Sequence, residues 1–327
     1  MTITRLGFGS WAIGGGGWNF GWGPQDDDES IAAIRHAIER GINWIDTAAI
    51  YGFGHSEEIV AKALEPYPEA DRPYVFTKCG MRPNPTGPME PNIRSGRRDT
   101  IIGDVEASLR RLKVDRIDLM QMHWPAPDAP VEEYWGALLE LQAQGKIRAC
   151  GLSNHGVDQL ERAEPLGHVA SLQPPFSLIR REVAADIIPW CVAHRSGVIV
   201  YSPMQAGLLT GAFSAQRVAS LPSDDWRARN AEFQSPKLEA NLALVDAMRP
   251  IAQRHGVSLA ALAIAWTLTF DGVTGAIVGS RRPEQIDGWI AAGELELDDT
   301  ALADLAQALD KTGAGAGPTS PRPGRIA

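Results

Sequence analysis

The chain has 327 residues, a length that two average domains or one large barrel would both satisfy. A formal net charge of −9 and a pI near 5.3, with no run of Lys or Arg, exclude a nucleic-acid or anionic-membrane surface, which would repel the chain. With 44% hydrophobic and 22% charged residues there is ample material for a core, so disorder is expected only at the end.

The first residues, MTITRLGFGSW, lack a basic segment followed by an apolar one, and no apolar run reaches the roughly 18 residues that span a bilayer. Export and membrane anchoring are not expected. Cys79, Cys150 and Cys191 stand far apart, with no CxxC pair, which reads as reduced thiols in a cytoplasm.

Apolar, β-branched runs then alternate with amphipathic segments along nearly the whole chain. The runs at 3–9, 42–46, 74–78, 117–123, 147–152, 169–172, 198–202 and 275–278 are eight predicted strands. Between them apolar residues recur at helical spacing, as in Ile31, Ile34 and Ile38, or Ile101, Ile102, Val105, Leu109 and Leu112. Acids at 26–30 cap the first helix, RRDT at 97–100 is a candidate cap, and Gly41, Gly145 and Gly197 fall where helix C-caps belong. The rhythm predicts a single-domain α/β fold, a (β/α)8 TIM barrel over residues 1–310, followed by a flexible Gly/Pro-rich tail at 311–327. Two long insertions, 80–98 and 206–235, both follow strands, and in such a barrel the loops after strands build the working face as a lid or a substrate wall.

The segment GFGSWAIGGGGWNFGWG at 7–23 satisfies G-x-G-x-x-A after a strand. That dinucleotide fingerprint works only where a helix begins at its third position, and Gly14 to Gly17 make a helix there very unfavourable. The segment reads instead as a mobile loop whose Trp11, Trp18 and Trp22 wall a ligand, or as a tight rim loop with packed indoles.

Asp46, Lys78 and His123 end three predicted strands, and Tyr51 follows Asp46 on its loop, so a barrel brings all four to one mouth. A carbonyl that accepts a hydride must also gain a proton on oxygen. A tyrosine with a reference pKa of about 10 is a poor acid near neutrality. A lysine beside it would lower that value, a carboxylate would hold the lysine charged and oriented, and a histidine could donate to the carbonyl oxygen. Lys78 at a strand end would also suit a Schiff-base aldolase. The scattered histidines show no HxxxH or HxH pair, so no metal is expected.

IDTAAIYG (45–52), VFTKCG (75–80) and IDLMQMHWP (117–125) carry a resemblance: the chain resembles the aldo-keto reductases from its first strand to about residue 310. The resemblance implies a barrel that binds NADP(H) in extended form without a Rossmann domain, with Asp46, Tyr51, Lys78 and His123 catalytic. In GLSNHG (151–156), Ser153 and Asn154 are implied as carboxamide contacts, completed by Gln173. In YSPMQAGLLTG (201–211), Tyr201 is implied to stack on the nicotinamide, and Ser202, Met204, Gly207 and Leu209 to line the pyrophosphate. In IVGSRRPEQI (277–286), Gly279, Ser280, Arg281, Arg282 and Gln285 are implied at the 2′-phosphate and adenine, with charge favouring NADPH over NADH. Arg227 and Arg229 either close over the cofactor or belong to a solvated loop.

Most relatives in that family begin with a short hairpin plugging the barrel floor, whereas this chain starts almost at its first strand, which is expected to bear on stability or solubility and not on the catalytic face. The expected function is reduction of an aldehyde or ketone to an alcohol, with Tyr51 as proton donor. The alternative is a nucleotide-binding, redox-sensing regulatory subunit of the same fold. The expected partner is a small-molecule carbonyl substrate, with no nucleic acid, membrane or obligate protein partner. Trp11, Trp18 and Trp124 are the substrate-wall candidates, with Trp22 and Phe176 beside them, and they favour an apolar or aromatic carbonyl.

Overall fold

The β-branched runs become strands β1 (Leu6–Gly9), β2 (Trp44–Asp46) and β3 (Tyr74–Cys79), then a hairpin of β4 (Met81–Arg82) and β5 (Ile93–Arg94). They continue as β6 (Ile117–Met122), β7 (Ile147–Ser153), β8 (Ser171–Gln173), β9 (Gly197–Val200) and β10 (Val273–Gly279). This is a computed structural model, and it describes residues 1–222 and 225–321. All strands but the hairpin pair in parallel and close into a barrel, in the order β1-β10-β9-β8-β7-β6-β3-β2. The eight predicted strands are these eight, with ends displaced. β1 starts at Leu6 because the Thr4 N–H is taken by the Asn43 side chain at 2.8 Å, and β9 stops at Val200 because Ser202 turns to a φ of 56°.

Successive strand residues face opposite sides, so one parity of each strand points into the barrel. On that parity Trp44, Phe76, Leu119, Ile199 and Ile277 form an apolar cluster of their own, while the other parity joins the large core under the helices. Two residues further along the same faces stand Asp46, Lys78, Gln121 and Tyr201. The lumen is therefore an apolar floor beneath a polar mouth, and the strand period alone converts one into the other.

Gly7 makes room for that floor, since a Cβ at this position would overlap the Trp44 indole. Gly7→Ala is expected to destabilise the protein by about 1–3 kcal/mol through overpacking. By contrast Gly136→Ala, exposed in helix Val131–Ala143 with open space around it, is expected to stabilise it by about 0.4–1 kcal/mol. Urea midpoints measure both, and equal signs would refute the packing argument.

The helices lie outside the barrel. Asp26 caps Asp27–Glu39 by accepting from Glu29 N at 2.9 Å, as expected. The RRDT cap is not formed: Arg97 has no capping side-chain bond, Asp99 and Thr100 lie inside helix Arg98–Leu112, and Arg98 N donates instead to Glu133 on a neighbouring helix. Gly41 and Gly145 take positive φ after their helices, but Gly197 opens β9, and Arg195 adopts the left-handed cap.

Insertion 80–98 carries the β4–β5 hairpin, and 206–235 carries helix Ala215–Ala219 and single turns, with residues 223 and 224 outside the described ones. Of the segment read as a tail, Lys311 and Thr312 end helix Asp299–Thr312. Ala316 then pairs with the 179–181 backbone, donating to Ile179 O at 3.2 Å and accepting from Arg181 N at 2.9 Å. Residues 322–327 lie outside the described ones. Among the described residues no helix is long and apolar enough to cross a membrane.

Candidate active site

The polar mouth is built around one buried ion pair. Lys78 Nζ donates to both Asp46 oxygens, at 2.7 Å to Oδ1, and to Thr47 O at 2.9 Å, which uses all three of its protons. Burial pushes the Asp46 carboxyl above its ordinary range and the Lys78 ammonium below its own, and the contact between them opposes both shifts. Gln173 Nε2 bridges Asp46 Oδ1 at 2.9 Å and Gln121 Oε1 at 2.8 Å, so strands β2, β3, β6 and β8 share one network. Gln121 was not singled out from sequence. Its signal was a glutamine on the inward parity of a strand, between Leu119 and His123.

Tyr51 sits on the turn Tyr51–Gly54 that follows β2. Gly52 keeps this turn against the glycine-rich loop, because its φ is 58° and a Cβ there would overlap Gly14 O. Burial, with Asp46 and Tyr201 adding to it, pushes the Tyr51 phenol well above its usual range. Burial outweighs the lowering expected from Lys78, whose ammonium lies 5.3 Å from the Tyr51 ring centroid and gives its protons to Asp46 and Thr47. Tyr51 is thereby held as a neutral phenol facing the cavity.

His123 stands edge-on to Tyr51, with ring centroids 5.8 Å apart. Burial, with the charges of Lys78 and Arg94, drives its pKa well below the usual imidazole value, so the ring is neutral, and its Nδ1 is buried without a partner among the described residues. The Asn154 amide is engaged on both sides, donating to His123 O at 3.0 Å and accepting from the Tyr201 hydroxyl at 2.7 Å. Ser153 Oγ donates to Gln173 O at 2.9 Å. The three polar side chains expected at a carboxamide thus already bond one another or their neighbours. Behind them His155 is clasped between Ser153 O at 2.8 Å and the Tyr134 hydroxyl at 2.9 Å, with its pKa lowered to about 4 by burial.

One cavity of about 860 Å³ opens above these groups. Tyr201, Ser202, Met204 and Gly207 line it, as do Gly279, Ser280, Arg281, Arg282 and Gln285. Ser202, Gln205 and Ala206 hold positive φ values of 56°, 47° and 53°, a run of unfavourable backbone of the kind found where a loop is shaped around a ligand. Leu209 does not reach the cavity: it is fully buried, and its N–H donates to Met204 O at 3.1 Å. Arg281 is a clasp, bonded to Gln25 Oε1 at 2.5 Å and to the carbonyls of Trp22 and Pro24, whereas the Arg282 side chain is exposed at the cavity edge. Gln285 Oε1 accepts from the Arg281 N–H at 2.7 Å.

Trp11, Trp18, Trp22 and Trp124 all line the cavity, and Trp11 lies 6.4 Å from Tyr51 with rings 27° from parallel. Trp226, missed from sequence because it lies in a polar insertion, packs on Trp11 at 5.1 Å. Phe176 is not a wall residue but core, against Phe270 and Trp266. Arg227 lines the cavity over the Trp22 ring and is paired with Asp225 at 2.6 Å, while Arg229 bonds Asn19 O at 3.0 Å.

The model of the Aldo/keto reductase family matches residues 5–310 of the chain. The chain belongs to that family. As an aldo-keto reductase it is similar to a Bacillus subtilis aldo-keto reductase, 36% identical over 305 residues and covering 91% of this chain and 89% of the relative. An NADH-specific methylglyoxal reductase of Escherichia coli is 33% identical over 324 residues, covering 95% and 97%. The solved structure of a glycerol dehydrogenase from Gluconobacter oxydans is 36% identical, covers 99% of this chain and 96% of its own, and superposes with a TM-score of 0.85. The family is one of nicotinamide-dependent oxidoreductases with this barrel.

Proposed function

We propose that this aldo-keto reductase reduces aldehydes or ketones to alcohols with NADP(H), and that Tyr51 gives the proton to the carbonyl oxygen. The observation that carries the reading is a single cavity joining Tyr51 and His123 to Tyr201, Ser202 and the Ser280–Gln285 segment. When bound, the cofactor supplies a hydride.

The chain's own residues fit that group. Ser153, Asn154 and Gln173 offer amide and hydroxyl partners for a carboxamide, and reaching it requires exchange of bonds they now make to one another and to Asp46, Gln121, His123 and Tyr201. Tyr201 offers a ring face. Ser202, Met204 and Gly207 line the stretch for a pyrophosphate, with Leu209 bracing Met204 from behind. Gly279, Ser280, Arg282 and Gln285 would hold the 2′-phosphate and adenine, and Arg281 fixes the Trp22–Gln25 segment beside them. Neutral His123 donates a hydrogen bond to the substrate oxygen. Tyr51, kept protonated by burial, releases its proton only as negative charge develops on that oxygen. Asp46 and Lys78 act through position, tying β2 to β3 beneath the phenol. A cytoplasmic location belongs to the same proposal, supported by three unpaired, buried cysteines.

The first test follows nicotinamide absorbance with purified protein, NADPH or NADH, and a panel of aldehydes and ketones. Turnover that needs a carbonyl and favours NADPH supports the reading, and cofactor binding without turnover on any carbonyl refutes it. The NADPH preference rests on Arg282, a cation at the cavity edge whose side chain makes no hydrogen bond or ion pair among the described residues. Arg282→Ala is expected to lower the ratio of kcat/KM for NADPH over NADH by roughly tenfold or more, the loss of a charged hydrogen bond. An unchanged ratio would remove Arg282 from the phosphate site.

A further inference from the structure

The cavity has a second polar end that the proton-transfer residues do not use. Insertion 80–98 contains four arginines. Arg82 pairs with Asp104 at 3.0 Å, Arg97 with Glu133 at 4.0 Å and Arg98 with Glu140 at 2.6 Å. Arg94 alone has no carboxylate within ion-pair distance among the described residues, and its guanidinium lies over the Trp124 ring, 4.4 Å from the centroid. A guanidinium on an aromatic face is held in place while its N–H edge stays available. Both Arg94 and Trp124 line the cavity. Arg94 is exposed at the rim of the cavity, so in a chain of net charge −9 it presents a cation there that no acid neutralises among the described residues.

Asn92, two residues earlier, gives an independent sign. It lines the same cavity, and both its amide nitrogen and its amide oxygen are buried without a hydrogen-bond partner among the described residues. Leaving such groups unpaired in the folded protein costs free energy that a ligand recovers. The hairpin that carries the pair is anchored at its base. Gly80 N and Arg82 both bond Asp104, Ser95 N donates to Gly80 O at 3.0 Å, and Ser95 Oγ and Gly96 N both donate to Asp128 at 2.8 Å. Arg94 and His123 line the same cavity, and the charge of Arg94 adds to the lowering of the His123 imidazole.

We propose that Arg94 and Asn92 form an oxyanion subsite, so that the preferred carbonyl substrates carry a carboxylate or phosphate group beyond the reacting carbon. The inference rests on the carbonyl-reductase reading and narrows its substrate class. The oxyanion takes the free edge of Arg94 and the Asn92 N–H groups, and Asn92 Oδ1 is left for a substrate hydroxyl or water. The indoles of Trp11 and Trp22 then cover the skeleton between the two ends.

The test compares matched pairs: 4-oxobutanoate against butanal, and glyceraldehyde 3-phosphate against glyceraldehyde. In the wild type at least one oxyanion substrate is expected to exceed its neutral partner in kcat/KM, mainly through KM. In Arg94→Met that ratio is expected to fall by roughly 10- to 100-fold, the weight of a charged hydrogen bond. The pair that responds tells carboxylate from phosphate. Wild-type preference for both neutral partners, or ratios that move less than twofold in Arg94→Met, overturn the proposal. Calorimetric titration with glutarate and with inorganic phosphate, neither of which contains a reducible carbonyl, supplies a readout that needs no turnover. Binding that Arg94→Met abolishes supports the subsite, and equal binding by wild type and variant, or none by either, counts against it. If no carbonyl is turned over at all, the reductase reading falls, and the titration alone decides the subsite.

Discussion

Tyr51→Phe is expected to lower kcat for carbonyl reduction by about a hundred- to ten-thousand-fold, the range of a lost general acid. The phenol faces the cavity and makes no hydrogen bond among the described residues, so removing its oxygen leaves no protein donor or acceptor orphaned. The fold should therefore be undisturbed, and NADPH should still bind, which fluorescence titration would check. A drop in kcat with cofactor affinity retained is the signature of an interaction that matters only as the oxygen becomes negative. Turnover undiminished in Tyr51→Phe would remove the tyrosine from the chemistry and with it the proposed mechanism. Neutral His123 would then be the next candidate donor, given that its Nδ1 has no partner among the described residues.

Lys78→Met is the second large effect, and it is a stability effect as well as a catalytic one. The substitution leaves the Asp46 carboxylate buried with only the Gln173 amide to face it, and breaking a buried pair on one side costs about 3–5 kcal/mol. The Thr47 carbonyl loses its partner too. Urea unfolding should show a midpoint lowered to match. The double variant Asp46→Leu/Lys78→Met removes both charges, and is expected to recover much of that stability while remaining inactive, because a paired apolar replacement orphans less. A double variant as unstable as the single one would mean that the pair stabilises the barrel in its own right. A double variant that regains activity would mean that neither residue places Tyr51.

The fold was legible because its signal is local. Each barrel strand announces itself by an apolar run of four to seven residues, and the spacing of Ile31, Ile34 and Ile38 marks a helix with one apolar face. The ends of elements were less legible, because they depend on partners far along the chain. The helix expected to be capped by Arg97 to Thr100 takes its first acceptor from Glu133, and the β1 boundary is set by Asn43. Segment 313–317 has a linker's composition, yet it is stitched to 179–181 by backbone bonds that composition cannot announce.

The candidate site divides in the same way. By itself the sequence determined the family, the barrel and the placing of Asp46, Lys78 and His123 at strand ends with Tyr51 on the loop after β2, and the strand period of two carries Trp44, Phe76, Leu119 and Ile199 to the polar residues above them. Only the tertiary structure decided which polar atoms are occupied and which are open. It gave the Lys78 protons to Asp46 and Thr47, turned Arg281 into a clasp, sent Leu209 and Phe176 inward, joined Gln121 to Gln173, and left Arg94 over Trp124 without an acid. Hydrogen bonds and ion pairs act over about 3–4 Å in space and join residues far apart in the chain. A local pattern can name the residue types at a mouth, but which of them are already paired is decided by distances that only the closed barrel sets.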